Sequence, residues 1–208
     1  MNSLFNLEGK LYQLLSKLAQ LMRVNILTLL CSLPVITIGA AATAMQKLVY
    51  QIYRGEEGEI TKTFFRTFAG NFRQATILWG IYLGFFLIVG VDLPVIGNLP
   101  AATRGWLTWV VLIFALMGLL SFTWVFVLQS RYHNTVWGTI RLSFVVWISH
   151  PLRTLVMLVM GLLPHLLLIA YANFLPLFLF LGISVSGICQ ATMYHSVFQT
   201  LETQQESV

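Results

Sequence analysis

Residues 24–45, VNILTLLCSLPVITIGAAATAM, carry no charge and are long enough to cross a bilayer, yet Pro34 stands in their middle. Proline has no N–H and disturbs a helix one turn back, so the carbonyls near Leu30 lose their ordinary donors. A kink or a short unwound stretch follows. In lipid those carbonyls need other partners, and Ser32, Thr37, Thr43 or a neighbouring helix can supply them. Gly39 with Ala40, Ala41, Ala42 and Ala44 adds a small-residue face suited to close helix approach. Read as one kinked crossing, the stretch is the first of five spans. Read as a re-entrant hairpin, it leaves four.

Working outward, four more apolar runs reach crossing length, at about 75–96, 106–128, 152–171 and 174–197. Hydrophobic residues make up 58% of the chain and charged residues 9%, against roughly half and about a quarter in soluble domains. The fold class expected is all-α, a polytopic membrane bundle of five spans forming one domain over residues 1–208, with a tail at 198–208. Net charge +5 comes from bases scattered between the runs and not from a continuous stripe, which excludes nucleic acid and favours an anionic lipid surface. Cys31 and Cys189 lie inside apolar runs and read as core filler. Ala42-Thr43-Ala44 has the look of a leader cleavage site but sits too far along the chain to be one.

Two segments have a different pattern. Leu4, Leu7, Leu11, Leu14, Leu18 and Leu21 fall on one helical stripe while Lys10, Gln13, Lys17 and Gln20 fall elsewhere, so residues 1–22 are expected as a separate amphipathic helix, too charged to span. After the turn signal Gly55-Glu56-Glu57-Gly58, the aromatics Phe64, Phe65, Phe68 and Phe72 with Arg66 and Arg73 predict a second such helix, lying flat ahead of its span. A shift of about 79 residues sets Phe65, Phe68, Asn71 and Gln74 against Phe144, Trp147, His150 and Arg153, a weak internal repeat implying a second interfacial helix. Bases cluster at Lys47 to Arg73 and at Arg131, Arg141 and Arg153, with Arg104 alone in the alternate connections. Five spans then place the long loops inside the cell and the N-terminus outside, against the sign of Lys10, Lys17 and Arg23. The hairpin alternative puts eleven of the twelve bases inside.

Residues able to do chemistry are few. Asp92 is the lone acid between Glu59 and Glu202, at the end of its run beside Leu93-Pro94, where a helix-end contact is the simpler reading. His133, His150, His165 and His195 lack ligand spacing, so no metal site is expected. Gly182-Ile183-Ser184-Val185-Ser186-Gly187 mimics a nucleophile elbow but sits in an apolar helix, where Gly182 and Gly187 suit a packing groove. Asn25, Asn173 and Gln190 should bond across helices, His165 and Arg153 suit the headgroup level, and no phosphate-binding loop is present. No cofactor and no enzymatic activity are expected.

The opening Leu4-Phe5-Asn6 helix, Asn25, Ser32-Leu33-Pro34-Val35-Ile36-Thr37-Ile38-Gly39, Arg54-Gly55-Glu56-Glu57-Gly58 and Phe65 through Thr76 together resemble the YesL family of bacterial membrane proteins, most specifically over residues 1–80. His150-Pro151 stands where many relatives have Asn before Pro. Such genes commonly accompany oligosaccharide-importing ABC systems in Gram-positive bacteria, and the family has no assigned catalysis. The resemblance implies a non-catalytic accessory subunit of the cell membrane, packed against permease subunits and, through them, a cytosolic ATPase. Pro34, Thr37, Gly39, Phe65, Phe68, Asn71, Phe72 and Arg73 are its candidate contacts. A membrane sensor or scaffold for carbohydrate use, or a small transporter, are the alternatives.

Overall fold

The computed structural model describes residues 2–56, 58–132 and 134–206, and within them the chain is helical with no strand. Helix α1 (Asn2–Ser32) leads through a 3-10 turn at Val35–Thr37 into α2 (Ile38–Arg54), followed by α3 (Ile60–Gly97) and α4 (Ala101–Arg131). Then come α5 (Val136–Ser149), α6 (Pro151–Ala170), a 3-10 turn at Ala172–Phe174, the single turn α7 (Leu175–Leu177), a π-helical stretch at Phe178–Gly182, and α8 (Ile183–Glu206). Five helical segments are long and apolar enough to cross a membrane: Leu11–Ser32, Ile60–Gly97, Ala101–Arg131, Pro151–Ala170 and Leu175–Thr200.

The expected crossing at 24–45 does not exist as one helix. Pro34 is extended, with φ −74° and ψ 120°, and the chain reverses between Ser32 and Ile38. The Thr37 hydroxyl reaches the carbonyl oxygens of Cys31 and Pro34, so the broken backbone is served locally, while Thr43 bonds back to Gly39. Two further expectations change with it. The amphipathic segment 1–22 is no separate element but the front of α1, whose crossing-length part begins at Leu11. Residues 60–74 do not lie flat: α3 runs 38 residues without a break, about 57 Å at 1.5 Å per residue, nearly twice the roughly 30 Å hydrocarbon core.

The other boundaries follow local chemistry. Gly55 takes φ +70° and its N–H meets the carbonyls of Gln51 and Ile52, closing α2 through the left-handed conformation that only glycine adopts cheaply. Thr135 caps α5 by accepting the N–H of Gly138. Pro151 opens α6 and bars His150 from helical backbone, so the second aromatic segment is a separate 14-residue helix where the first is continuous with its span. The two halves of the supposed repeat are therefore built differently.

Helix α2 is the centre. It packs on α1, α3, α4 and α8, and the main cluster gathers Val24, Leu48, Val49, Ile52, Phe64, Trp124, Leu128, Met157, Tyr194, Val197 and Phe198 around it. A smaller cluster of Leu78, Tyr82, Val125 and Phe126 joins α3 to α4. Since the chain turns back at Pro34, the start of α1 lies at the end where α2 meets α3, and Arg23 shares a surface recess with Glu59–Lys62. The N-terminus and the basic connections thus occupy one end of the bundle, as the hairpin reading requires, and the placement expected from five alternating spans is corrected.

Candidate functional site

Asn25 is fully buried on α1 and faces the π-helical stretch. Its Nδ2 donates to the carbonyls of Phe178 (3.0 Å) and Leu179 (2.8 Å), and its Oδ1 accepts the N–H groups of Ile183 and Ser184, both at 2.9 Å. A π-bulge leaves backbone groups out of the regular ladder, and one amide supplies two donors and two lone pairs. Asn25 therefore serves two carbonyls of the π stretch and two N–H groups just after it. Sequence reasoning found the cross-helix bond but not its partner, whose only signals were Pro176 and Gly182 flanking an otherwise ordinary apolar run.

Several of the other buried polar groups pair across helices, while Thr28 and Thr43 bond carbonyls of their own helices and the Thr67 hydroxyl is buried without a hydrogen-bond partner. Gln46 Nε2 donates to Gln190 Oε1 at 3.0 Å, Gln190 Nε2 donates to the Met157 carbonyl at 2.9 Å, and the Tyr194 hydroxyl reaches Gln46 Oε1 at 3.4 Å. This chain ties α2, α6 and α8, and Gly161 leaves the room that Gln190 fills. Tyr82, Ser121 and Ser143 link α3, α4 and α5 at 2.6 Å per step. Gln129 joins Asn71 at 3.1 Å to Thr139, and Trp124 donates to Thr154 at 2.8 Å. A cleft of about 370 Å³ between α2, α4, α6 and α8 has Gln46 and Gln190 at its polar edge and Phe122, Phe126 and Leu158 on its walls. Among the described residues its lining has no carboxylate, and its polar side chains are Gln46, Gln190, Thr123, Ser186 and His165.

At the basic end, the Arg131 guanidinium lies 5.0 Å from both the Tyr50 and Phe198 rings, and Tyr50 shares a 3.0 Å hydrogen bond with His195 Nδ1. Arg54 pairs with Glu56 at 3.0 Å.

The first four turns of α3 have two faces. Phe64 and Thr67 point inward, Asn71 bonds Gln129, and Gln74 donates to the Asn134 carbonyl. On the other side Phe65 is 48% exposed and Phe72 38%, with Arg66, Ala69 and Arg73 between them. Phe68 stacks between Phe64 and Phe72, with centroids 6.2 and 5.6 Å away, so the exposed aromatics are backed by buried ones.

The other expected residues are structural or peripheral. A Cβ on Gly39 would run into the Ala75 carbonyl oxygen and Trp79, and one on Gly187 would come 3.1 Å from Met45 Sδ. The small-residue face, with Ala40, Ala41 and Ala44 wholly buried, is thus consumed by the chain's own helices and is not open to a partner. Gly182 sits in the π stretch against Phe178. Asp92 is half-buried near the end of α3, and Asn173 is exposed in its turn. His165 bonds the Gly161 carbonyl and meets Phe178 edge-on. Burial, and secondarily Arg153, hold the His150 imidazole below its ordinary pKa. His133 lies outside the described residues. Among the described residues no group of three or more His, Cys, Asp or Glu side chains is placed to hold a metal ion.

Residues 21–93 match a family model described as a protein of unknown function, DUF624. The matched segment takes in α1 from Leu21 onward, the Pro34 turn, all of α2 and most of α3, so it contains the Pro34 reversal, the Gly39 contact and the exposed Phe65–Arg73 face. No curated protein and no solved structure matches the chain.

Proposed function

We propose that this chain is a non-catalytic accessory subunit of the cell membrane that docks a partner membrane protein through the leading turns of α3. The single observation behind this is the exposed face of Phe65, Arg66, Phe72 and Arg73 on the part of α3 that runs ahead of its apolar segment. Aromatic and arginine side chains fixed on a rigid backing are the composition of interface centres. Its backing by Phe64, Phe68 and the Asn71–Gln129 bond keeps that face ordered before any partner arrives. The buried amides are spent on one another, which gives an internal transport path or a catalytic group little to work with.

The likeness of residues 1–80 to the YesL family supplies the partner class: the permease pair of an oligosaccharide ABC importer, with its cytosolic ATPase held indirectly. The basic end faces the cytoplasm in this reading, because the hairpin alternative then puts eleven of the twelve Lys and Arg residues, all but Arg104, inside. Purification of the tagged chain in mild detergent from its native host tests it. Permease and ATPase chains should accompany the wild type and be lost from the Phe65→Ala/Phe72→Ala and Arg66→Glu variants. Recovery of the chain alone, or equal recovery of partners by all three, contradicts it.

A further inference from the structure

The cleft between α2, α4, α6 and α8 stands apart from the α3 face, and neither reading depends on the other. Leu162 and His165 of α6 line it and are both exposed, so they mark its mouth. Leu155, Val159, Leu166 and Ile169 share the helical stripe of Leu162 and are exposed as well. On a helix of crossing length such a stripe faces lipid, so the cleft of about 370 Å³ is entered from the bilayer. Among the described residues the lining carries no Lys, Arg, Asp or Glu, and its walls include Phe122, Phe126, Met157 and Leu158. Those walls suit an uncharged, largely apolar molecule. At the buried side, Gln46 and Gln190 are each 8% exposed. Gln46 gives one N–H to Gln190 Oε1, and Gln190 gives one to the Met157 carbonyl. A primary amide has two. The second N–H of each has no acceptor among the described residues, and both amides line the cleft. The Thr123 and Ser186 hydroxyls already donate to the Leu119 and Ile183 carbonyls of their own helices, so the donors left at this end are amide N–H groups.

We propose that this cleft binds an uncharged, membrane-soluble molecule through a carbonyl oxygen, supplied by a quinone headgroup or by the ester of a neutral glycerolipid. A carbonyl oxygen has two lone pairs to offer amide donors, and a buried N–H without an acceptor is costly in lipid. The acceptor arrives on an apolar body, which the aromatic and aliphatic walls take up.

Thermal unfolding of the full-length chain in detergent tests this with two probes. One is a dimethylnaphthoquinone whose quinone ring is fully substituted, so that neither Cys31 nor Cys189 adds to it; the other is dioctanoylglycerol. At least one should raise the unfolding temperature. Its carbonyl-free counterpart, dimethylnaphthalene or the dioctyl ether of glycerol, should act with an apparent affinity roughly ten-fold weaker. Gln46→Leu should bring the carbonyl probe down to the level of that counterpart. Leu162→Trp, which fills the mouth from an exposed position, should abolish the rise, and Leu166→Trp, one turn on and outside the lining, should leave it intact. A rise with the quinone alone assigns the site to a quinone, and one with dioctanoylglycerol alone assigns it to a lipid ester. A rise with both assigns it to the carbonyl, whichever body carries it. No rise with either probe leaves the amide N–H groups to water and overturns the proposal. So does an equal rise with the carbonyl-free counterparts, or a rise unchanged in Leu162→Trp.

Discussion

Helices α2 and α3 lie side by side and are made on opposite plans. The 17 residues of α2 include Lys47, Gln46, Gln51 and a run of Gly and Ala, and eleven of them are buried. The 38 residues of α3 are far more apolar, and six are buried. Leu87, Ile88 and Val91 of α3 are each more than 60% exposed. In water the apolar helix would be the core. In lipid, large apolar side chains gain nothing by leaving the bilayer, so small and polar residues mark the helix that others surround. Hydropathy here reads contact with lipid, and packing is read from Gly39, Ala40, Ala44 and the amides.

The sharpest way to break this comparison is to spoil the small-residue contact. Gly39→Leu should leave α2 unable to approach α3 at Ala75 and Trp79, and little monodisperse protein should be recovered on size exclusion. The matched change on α3, Val91→Leu on an exposed position, should leave the elution profile unchanged. Next comes the clamp on the π stretch. Asn25→Ala strands four backbone groups and should cost about 3 kcal/mol, seen as a lower unfolding temperature in detergent. Gln190→Leu removes two bonds from α2 and α6 and should cost about 1 kcal/mol by the same assay. Smallest is Phe65→Ala with Phe72→Ala, expected to move the unfolding midpoint by less than about 0.5 kcal/mol while abolishing partner recovery. A large stability loss there would mean the face is part of the fold and not a docking surface.

What could be read without coordinates follows the same divide. Three crossing-length helices were legible to within a few residues, and a fourth, α3, at its end but not at its start, which lies at Ile60 and not near Ala75, because lipid-facing runs are long and uninterrupted. The first was misplaced for a physical reason: residues 24–45 look alike on both sides of Pro34, but Val24 to Ser32 end one helix and Ile38 onward begin the central one. The charge pattern is in keeping with the reversal, since the hairpin alternative groups Lys10, Lys17 and Arg23 with the other bases. Asn25 and Gln190 were legible as cross-helix donors because an amide in an apolar run has few other uses. The pairing of Gln190 with Gln46 was not, as the two stand on helices distant in the chain. Nor could spacing alone show that Phe65 and Phe72 face outward while Phe64 does not, because that depends on where α4 stands.

The chain's reversal at Pro34, which puts its beginning at the basic end, is the claim on which the bundle's layout rests. Cysteine scanning in intact cells, in a Cys31→Ala/Cys189→Ala background with an impermeant maleimide, tests it most directly. Asn98→Cys, in the turn after α3, should react in intact cells, and Asn2→Cys should react only after permeabilisation. Reaction of Asn2→Cys in intact cells with Asn98→Cys also labelled would place both on one face and contradict the reversal.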